Sequence, residues 1–485
     1  MRAGSEYSVA KRYLLWVLAL SLMRILVVTA SPYGLYLEEP YYWAWAQQPD
    51  WGYYSKPPLV AWLIAITTTW SDEPLAVKAS AIALYPLAGW FVLQTTRLFA
   101  DERVALRTAL LFQLLPGVSF SAIIISTDVP LILCWSATLW LAFTVLRQPR
   151  PWHWPALGAT IGLGLLAKYN MLLLLPGLLL WGWRYQRPQL LQQWRGMMLA
   201  IAIAMLLITP TLLWNLNHQL TSVHHTIAIT GARDSSWQWS ALGQFMLDQL
   251  ALLGPVAGLV TAWLLLTRPS SIRPLLWTLA PALLATAWIA GFGEANANWG
   301  APLVATLVIG CGLWAANSVR RWYWLFIPNI IIVSLFYGLH GSGAVDRLSE
   351  LYQFRHPYQR ILGWPAVTKQ ILDAQARLPE PCLISPSREL LAWSGYLGRH
   401  MLPPQALISL PPADGSVAHQ FDLVNPLRQG MPQTRCVLVV GTQQRHLADA
   451  FGSRQQRDEV TRQGQGQNYE HYLLFEVSDW QGGGR

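Results

Sequence analysis

Long apolar runs separated by short polar stretches fill the first 340 residues, and beyond that point the pattern changes. After a basic start from Met1 to Arg12, an apolar stretch covers Tyr13–Ala30. Further runs of 13–24 residues lie at Val77–Phe99, Thr108–Phe120, Val129–Leu146, Pro155–Ala167, Met171–Trp183, Met197–Trp214, Gln244–Thr267, Leu275–Phe292, Ala301–Asn317 and Trp322–His340. A helix needs about 20 residues to cross the hydrocarbon layer, so the pattern predicts about eleven transmembrane helices. The first run has no clear small-residue cleavage site after it, so it reads as a retained helix with Arg24 turned toward protein. The segments around Asp128 and Lys168 are short, and read also as re-entrant or broken helices.

Charge orients the runs. Alternate loops carry Arg97, Arg103 and Arg107; Arg147 and Arg150; Arg184, Arg187 and Arg195; Arg268 and Arg273; and Arg320 and Arg321. The opposite loops hold few cations: Lys56, Lys78, Lys168 and Arg233. The positive-inside rule then predicts a cytoplasmic N-terminus and an extracytoplasmic C-terminus. From about Gly341 the chain becomes polar, and 341–485 reads as a small water-exposed α/β domain. Its predicted strands are Cys382–Ser385, Val437–Gly441 and His471–Val477, with a helix over Ser387–Leu397 and a frayed end at Gln481–Arg485.

Composition narrows the classes. Of 485 residues 53% are hydrophobic and 12% charged, against about 25% charged in soluble domains. The mean hydropathy is +0.30. Disorder, collagen, coiled coil and a soluble enzyme are excluded, and a nucleic-acid partner is disfavoured despite the net charge of +9. The 27 Trp and 18 Tyr suit the two water–lipid boundaries. Four cysteines are too few for a disulfide scaffold. Cys134 and Cys311 fall in spans as packing residues; Cys382 and Cys436 each open a predicted strand, where geometry decides whether they bridge.

The outer loops carry the candidate chemistry. The first, from Ser31 to about Pro74, contains LYLEEPYYWAWAQQPDWGYYSKPPLVAW, an aromatic-rich stretch expected to lie as short helices on the membrane surface. Glu38 and Glu39 suit a general base or a divalent cation, or else are solvated acids beside a helix. Lys56, held extended by Pro57 and Pro58, suits a phosphate, or else snorkels. Asp128, in STDVPL, and Lys168 with Tyr169, in GLGLLAKYN, sit at span boundaries. Helix capping and snorkelling are their plainer readings. A second loop, from Asn215 to about Leu242, holds His218, His224 and His225, whose spacing matches no standard zinc motif. It also holds Arg233, a residue able to grip phosphate bidentately. Glu294 lies in a shorter outer loop.

EEPYYWAW followed by DWGYYSKPPLVAW resembles the first-loop signature of bacterial C-type membrane glycosyltransferases. That family includes the protein O-mannosyltransferases and the lipid A aminoarabinose transferase. The resemblance continues through TDVPL, GLGLLAKYN, Pro210–Asn215, the NANWGAP of Asn296–Pro302 and Gly363–Trp364. It implies a polytopic α-helical protein with the C-type glycosyltransferase fold over 1–340, including outer loops at about 31–74 and 215–242, and an extracytoplasmic α/β domain over 341–485. It also implies a polyprenyl-phosphate sugar donor, an envelope glycolipid, polysaccharide or protein as acceptor, and a site in the bacterial inner membrane facing away from the cytoplasm. Glu38 matches the acidic residue taken as the family's catalytic base, Asp128 its second acid, and Lys56 the cation near the lipid phosphate. Glu39, Tyr54, Lys168, Tyr169 and Arg233 are assigned to substrate binding beside them. Two departures stand out: Glu38-Glu39 replaces the usual Asp-Glu, and Ser55 replaces an acid common before the Pro-Pro segment. The second leaves the requirement for a divalent metal open. The chemistry expected is an inverting sugar transfer. A transporter or lipid flippase is the alternative, though no internal repeat supports it, and a structural partner for an envelope protein is a third.

Overall fold

The computed structural model describes residues 2–230, 236–292, 295–412, 414–428, 435–464 and 467–481. Seven of its helices are long and apolar enough to span a bilayer: Ser8–Ala30, Pro74–Thr96, Asp128–Val145, Trp194–Asn217, Ser270–Phe292, Ala297–Ala315 and Val319–Ser342. Pro255–Thr267 is apolar but shorter. Helices of 12–15 residues cover most of the remaining apolar runs: Glu102–Leu114, His153–Ala167, Leu174–Tyr185 and Trp239–Leu253.

Three breaks interrupt the helices, two of them inside runs that hydropathy joins. The run Thr108–Phe120 is two helices, because Pro116 disfavours helical ψ at Leu115 (ψ 137°), and a new helix starts as Pro116–Ser121. Arg24, fully buried as an inward-facing residue should be, closes that end. Its Nη1 and Nη2 donate to Oε1 and the main-chain oxygen of Gln113, both at 3.1 Å, and Nε to Tyr337 Oη at 3.1 Å. A cation at a helix's carbonyl end is favoured by the dipole. The run Gln244–Thr267 also divides, at Gly254 with φ 84°. A Cβ there would lie 1.9 Å from Asn329 Oδ1, so both conformation and space demand glycine. The third break is at Lys168, extended at φ −163° and ψ 137° between His153–Ala167 and a 3₁₀ turn over Tyr169–Leu173.

The chain clusters into two compact units. One comprises Met1–Ala30, Lys56–Leu63 and Thr67–Gly341; the other comprises Ser31–Ser55, Ile64–Ile66 and Ser342–Arg485. The second unit is built on a five-stranded sheet of β1 (Leu383–Ser385), β2 (Leu407–Ser409), β3 (Cys436–Gly441), β4 (Phe451–Gly464) and β5 (Gln467–Trp480), in the order β2-β1-β3-β5-β4. β2, β1 and β3 run parallel, while β5 is antiparallel to both β3 and β4. The helix Arg388–Leu397 connects β1 to β2, capped by Ser387 Oγ, which accepts the Leu390 amide at 3.2 Å. Ile384, Ile408, Leu438, Val440 and Phe475 fill the core, and a disulfide joins Cys382 to Cys436. Gly363 (φ 82°) opens the helix Trp364–Gln375, where a Cβ would meet the Gln463 carbonyl at 2.4 Å.

All three expected strands and the expected helix are present. Two further strands, β2 and β4, had no hydrophobic alternation to mark them. β4 is an edge strand rich in Arg, Gln, Asp and Glu, a composition that discourages edge-to-edge pairing. Its Arg462 is buried, donating to the carbonyls of Gln359 (2.8 Å) and Leu362 (2.9 Å) and to Glu470 Oε2 (2.9 Å).

Candidate active site

The paired glutamates separate at once. Leu37 adopts φ 40°, an uncommon left-handed conformation for a non-glycine residue. The kink leads into the helix Glu39–Ala46, with Glu38 at its N-cap and Pro40 in its first turn. Glu39 is 1% exposed, and its Oε2 accepts the Tyr36 amide at 2.6 Å. Glu38 is exposed, and its Oε2 accepts from Tyr42 Oη at 2.5 Å. Glu39 therefore holds backbone, while Glu38 offers a solvent-accessible carboxylate with one oriented oxygen.

This helix packs its aromatic face within the second unit. Tyr41, Tyr42, Trp43 and Trp45 are buried; Trp43 meets Tyr396 edge-on at 5.3 Å, and Trp45 stacks on Tyr53 at 4.6 Å. Tyr41 Oη accepts the Gln420 amide at 2.6 Å, and Gln420 Oε1 accepts the Tyr54 amide at 2.7 Å. Burial raises the Tyr41 phenol well above its ordinary pKa, so it remains a neutral hydroxyl. Burial raises Tyr54 too, aided by the Asp422 carboxylate.

Arg388 comes from outside the first loop. Its guanidinium lies 5.1 Å from the centre of the Tyr41 ring, and Nη2 and Nε donate to Glu389 Oε1 at 2.7 and 3.2 Å. Burial opposes the charge, but Glu389 and Glu38 more than restore it, so the guanidinium pKa is raised. Burial likewise pushes the Glu389 carboxyl up, and Arg388 overrides it to hold the group below the ordinary range.

The helical unit contains a different arrangement. Asp128 opens the helix Asp128–Val145 and is 3% exposed; Lys168, at the extended break, is 6% exposed. Lys168 Nζ donates to Asp128 Oδ1 at 2.8 Å, and Asn298 Nδ2 donates to Asp128 Oδ2 at 3.0 Å. Each carboxylate oxygen has a partner, and the extended backbone at Lys168 carries its ammonium to the acid. Tyr169 belongs to a neighbouring network: its Oη bonds Ser222 Oγ at 2.8 Å and accepts from Asn215 Nδ2 at 3.4 Å. Lys56 is half-buried, ahead of buried Pro57 and Pro58 and the helix Leu59–Thr67.

Glu38, Glu39 and Tyr54 thus share one unit, and Lys56, Asp128, Lys168 and Tyr169 the other. Arg233 and Glu294 lie outside the described residues. His218 bonds the Trp214 carbonyl at 2.8 Å and stacks on the Trp214 ring at 4.0 Å. Among the described residues no three His, Cys, Asp or Glu side chains form a group able to hold a metal. Two residues were not singled out from the sequence: Asn298, although NANWGAP had drawn notice, and Arg388, which has no local signal.

The profile of the family described as dolichyl-phosphate-mannose-protein mannosyltransferase matches residues 55–214, which include Lys56, Asp128, Lys168 and Tyr169. A lipid A galacturonosyltransferase, RgtD, of Rhizobium johnstonii is 30% identical over 305 residues, 59% of this chain and 62% of that protein. Over these stretches the chain is similar to PMT-like glycosyltransferases. Its match spans less than two thirds of that curated relative. The chain also shares the fold of ArnT from Cupriavidus metallidurans. The TM-score is 0.65 to the form bound to undecaprenyl phosphate and 0.64 to the apo form, in each case at 15% identity over 98% of this chain and 100% of that one. The expected C-type fold is therefore present, as is a multi-pass membrane protein.

Proposed function

We propose that this protein transfers a sugar from a polyprenyl-phosphate donor to an acceptor of the bacterial cell envelope, with a glycolipid such as lipid A as the leading candidate. The carrying observation is the split within the first-loop motif: Glu39 is buried on a backbone amide, whereas Glu38 is exposed and oriented by Tyr42. Glu38 takes the proton of the acceptor nucleophile. The acceptor attacks the anomeric carbon, the carbon–oxygen bond to phosphate breaks, and the configuration inverts. The lipid phosphate leaves with the bonding pair, and cations meet its growing charge; Lys56 and Arg233 are assigned to that role by residue type. Lys168 supplies a further fixed cation, and Asp128 acts through it as a positioning acid. Tyr54 and Tyr169 are assigned to substrate binding, and Glu39 to holding the loop backbone.

The same reading makes 1–340 the transmembrane domain and 341–485 an extracytoplasmic one, in the inner membrane with the N-terminus in the cytoplasm. Reporter fusions after Arg150 and Arg321 should report cytoplasm, and after His340 the opposite side; a cytoplasmic His340 fusion overturns this orientation. Activity is tested with purified protein, a radiolabelled polyprenyl-phosphate sugar pool and membrane extract. Label should move to an envelope component with wild type and not with Glu38→Gln.

A further inference from the structure

Arg388 breaks a local rule. It is the first residue of the helix Arg388–Leu397, where the positive end of the dipole disfavours a cation. Glu389, in the same first turn, is the residue a stable helix start requires; the arginine adds nothing to it. Departures of this kind concentrate at functional sites.

The guanidinium is also held half-open. Its Cζ lies over the Tyr41 ring, and Nε and Nη2 share a single oxygen of Glu389, while among the described residues Nη1 has no hydrogen-bond partner. The side chain is 32% exposed, and that of its partner Glu389 is 52% exposed, so the ion pair is accessible from solvent. Tyr41 is fixed in turn by the Gln420 amide, so the guanidinium rests on a rigid platform. On the same helix as Tyr41, Tyr42 orients Glu38, whose charge acts on Arg388.

We propose that the open Nη1 edge of Arg388 takes a phosphate group of the molecule presented to Glu38. A guanidinium cannot lose its charge under physiological conditions and matches phosphate oxygens geometrically. A tetrahedral oxyanion can use the open edge while Glu389 keeps the other. The inference rests on the reading of Glu38 as the base. Because a base touches the acceptor, the phosphate belongs first to an acceptor glycolipid; the donor's lipid phosphate is the other source. Arg388, from the polar C-terminal part of the chain, would then select acceptors by charge.

The test is direct binding, separate from turnover. Full-length wild type, Arg388→Ala and Arg388→Lys in detergent are titrated with bisphosphorylated lipid A, with dephosphorylated lipid A and with undecaprenyl phosphate. Arg388→Ala should bind bisphosphorylated lipid A about 10–100-fold more weakly, the scale of a hydrogen bond to a charged group. Arg388→Lys should fall between the two, and the dephosphorylated lipid should bind all three alike. Weakening confined to undecaprenyl phosphate keeps the phosphate site and assigns it to the donor. Unchanged binding of both phosphorylated lipids, or no binding by wild type, overturns the proposal. So does an equal loss in Glu389→Gln, because the ion pair would then be structural. If binding behaves as expected but wild type transfers no sugar, the proposed reaction fails and the phosphate site stands.

Discussion

Glu38 and Asp128 are the two acids that the sequence motifs single out, yet their surroundings differ in nearly every respect. Asp128 is buried, takes the Lys168 ammonium on one oxygen and the Asn298 amide on the other, and lies at the start of a membrane-length helix. Glu38 is exposed, at the N-cap of a short and largely buried helix, with a phenol as its hydrogen-bond donor. A general base must be within reach of the acceptor's proton, and of the two carboxylates Glu38 is the exposed one while Asp128 is 3% exposed. The proposed reading follows this contrast, giving proton transfer to Glu38 and charge placement to the Asp128–Lys168 pair.

The largest effect should come from Glu38→Gln, which keeps size and hydrogen bonding but removes basicity. Turnover should fall about 10²–10⁴-fold, the usual range for a general base, with normal membrane insertion. Glu39→Gln, measured per folded molecule, should retain turnover and lower thermal stability, since its buried oxygen holds the Tyr36 amide. Glu38→Asp should keep partial activity, because the family's usual residue is one methylene shorter. Reversal of the two glutamine variants would show the register across the motif to be wrong.

Next come the buried charges. Asp128→Asn leaves the Lys168 ammonium without its counter-charge, and breaking a buried pair from one side costs about 3–5 kcal/mol. Lys168→Met should cost a similar amount. The double variant should cost much less than the sum, since removing both charges relieves the desolvation penalty. Additive losses in detergent unfolding would argue that the pair is not coupled.

Removing the bridge with Cys382→Ser and Cys436→Ser should destabilise the sheet-bearing unit by about 2–4 kcal/mol. Protease protection of the 342–485 part should decline while the long apolar helices stay inserted. Unchanged protection would mean that the sheet's apolar core suffices alone.

Much of this was legible in the sequence, for reasons of scale. A membrane-length apolar run has one physical use, so the long helices could be read directly, and Pro116 and Gly254 mark breaks once their neighbours are known. Residue types at the acids and lysines were legible too. Pairings were not: Asp128 and Lys168 are 40 positions apart, and no local pattern announces that an extended residue carries one to the other. β4 was hidden because an edge strand with polar residues on both faces has no period-two signal. Arg388 was hidden for the opposite reason, since an arginine in a polar segment is ordinary until the Tyr41 ring is found beneath it.

The smallest effect separates a third kind of titratable group, one buried and neutral. His356 has a side chain 2% exposed. Its Nδ1 accepts the Tyr358 amide at 3.1 Å, so the neutral ring carries its proton on Nε2, which points to Asp346 Oδ1 at 3.0 Å. Tyr33 Oη donates to the same oxygen at 2.7 Å. Burial pulls the His356 pKa below its ordinary value, and Asp346 offsets only part of that. The unfolded chain therefore binds a proton more readily than the folded one. Stability is complete above about pH 6.5, the unfolded value, and declines as the pH falls toward and through the lowered folded value. Asp346 is 41% exposed at its side chain, so solvent screening keeps the effect below the limit of about 1.4 kcal/mol per pH unit for one proton. Thermal unfolding of wild type should weaken between pH 7.5 and 5. His356→Gln should start lower at pH 7.5 and show a shallower fall. Parallel curves for the two proteins would assign the acid sensitivity to other groups, and would leave Glu38 and the Asp128–Lys168 pair as the contrast that organises the chain's ionisable residues.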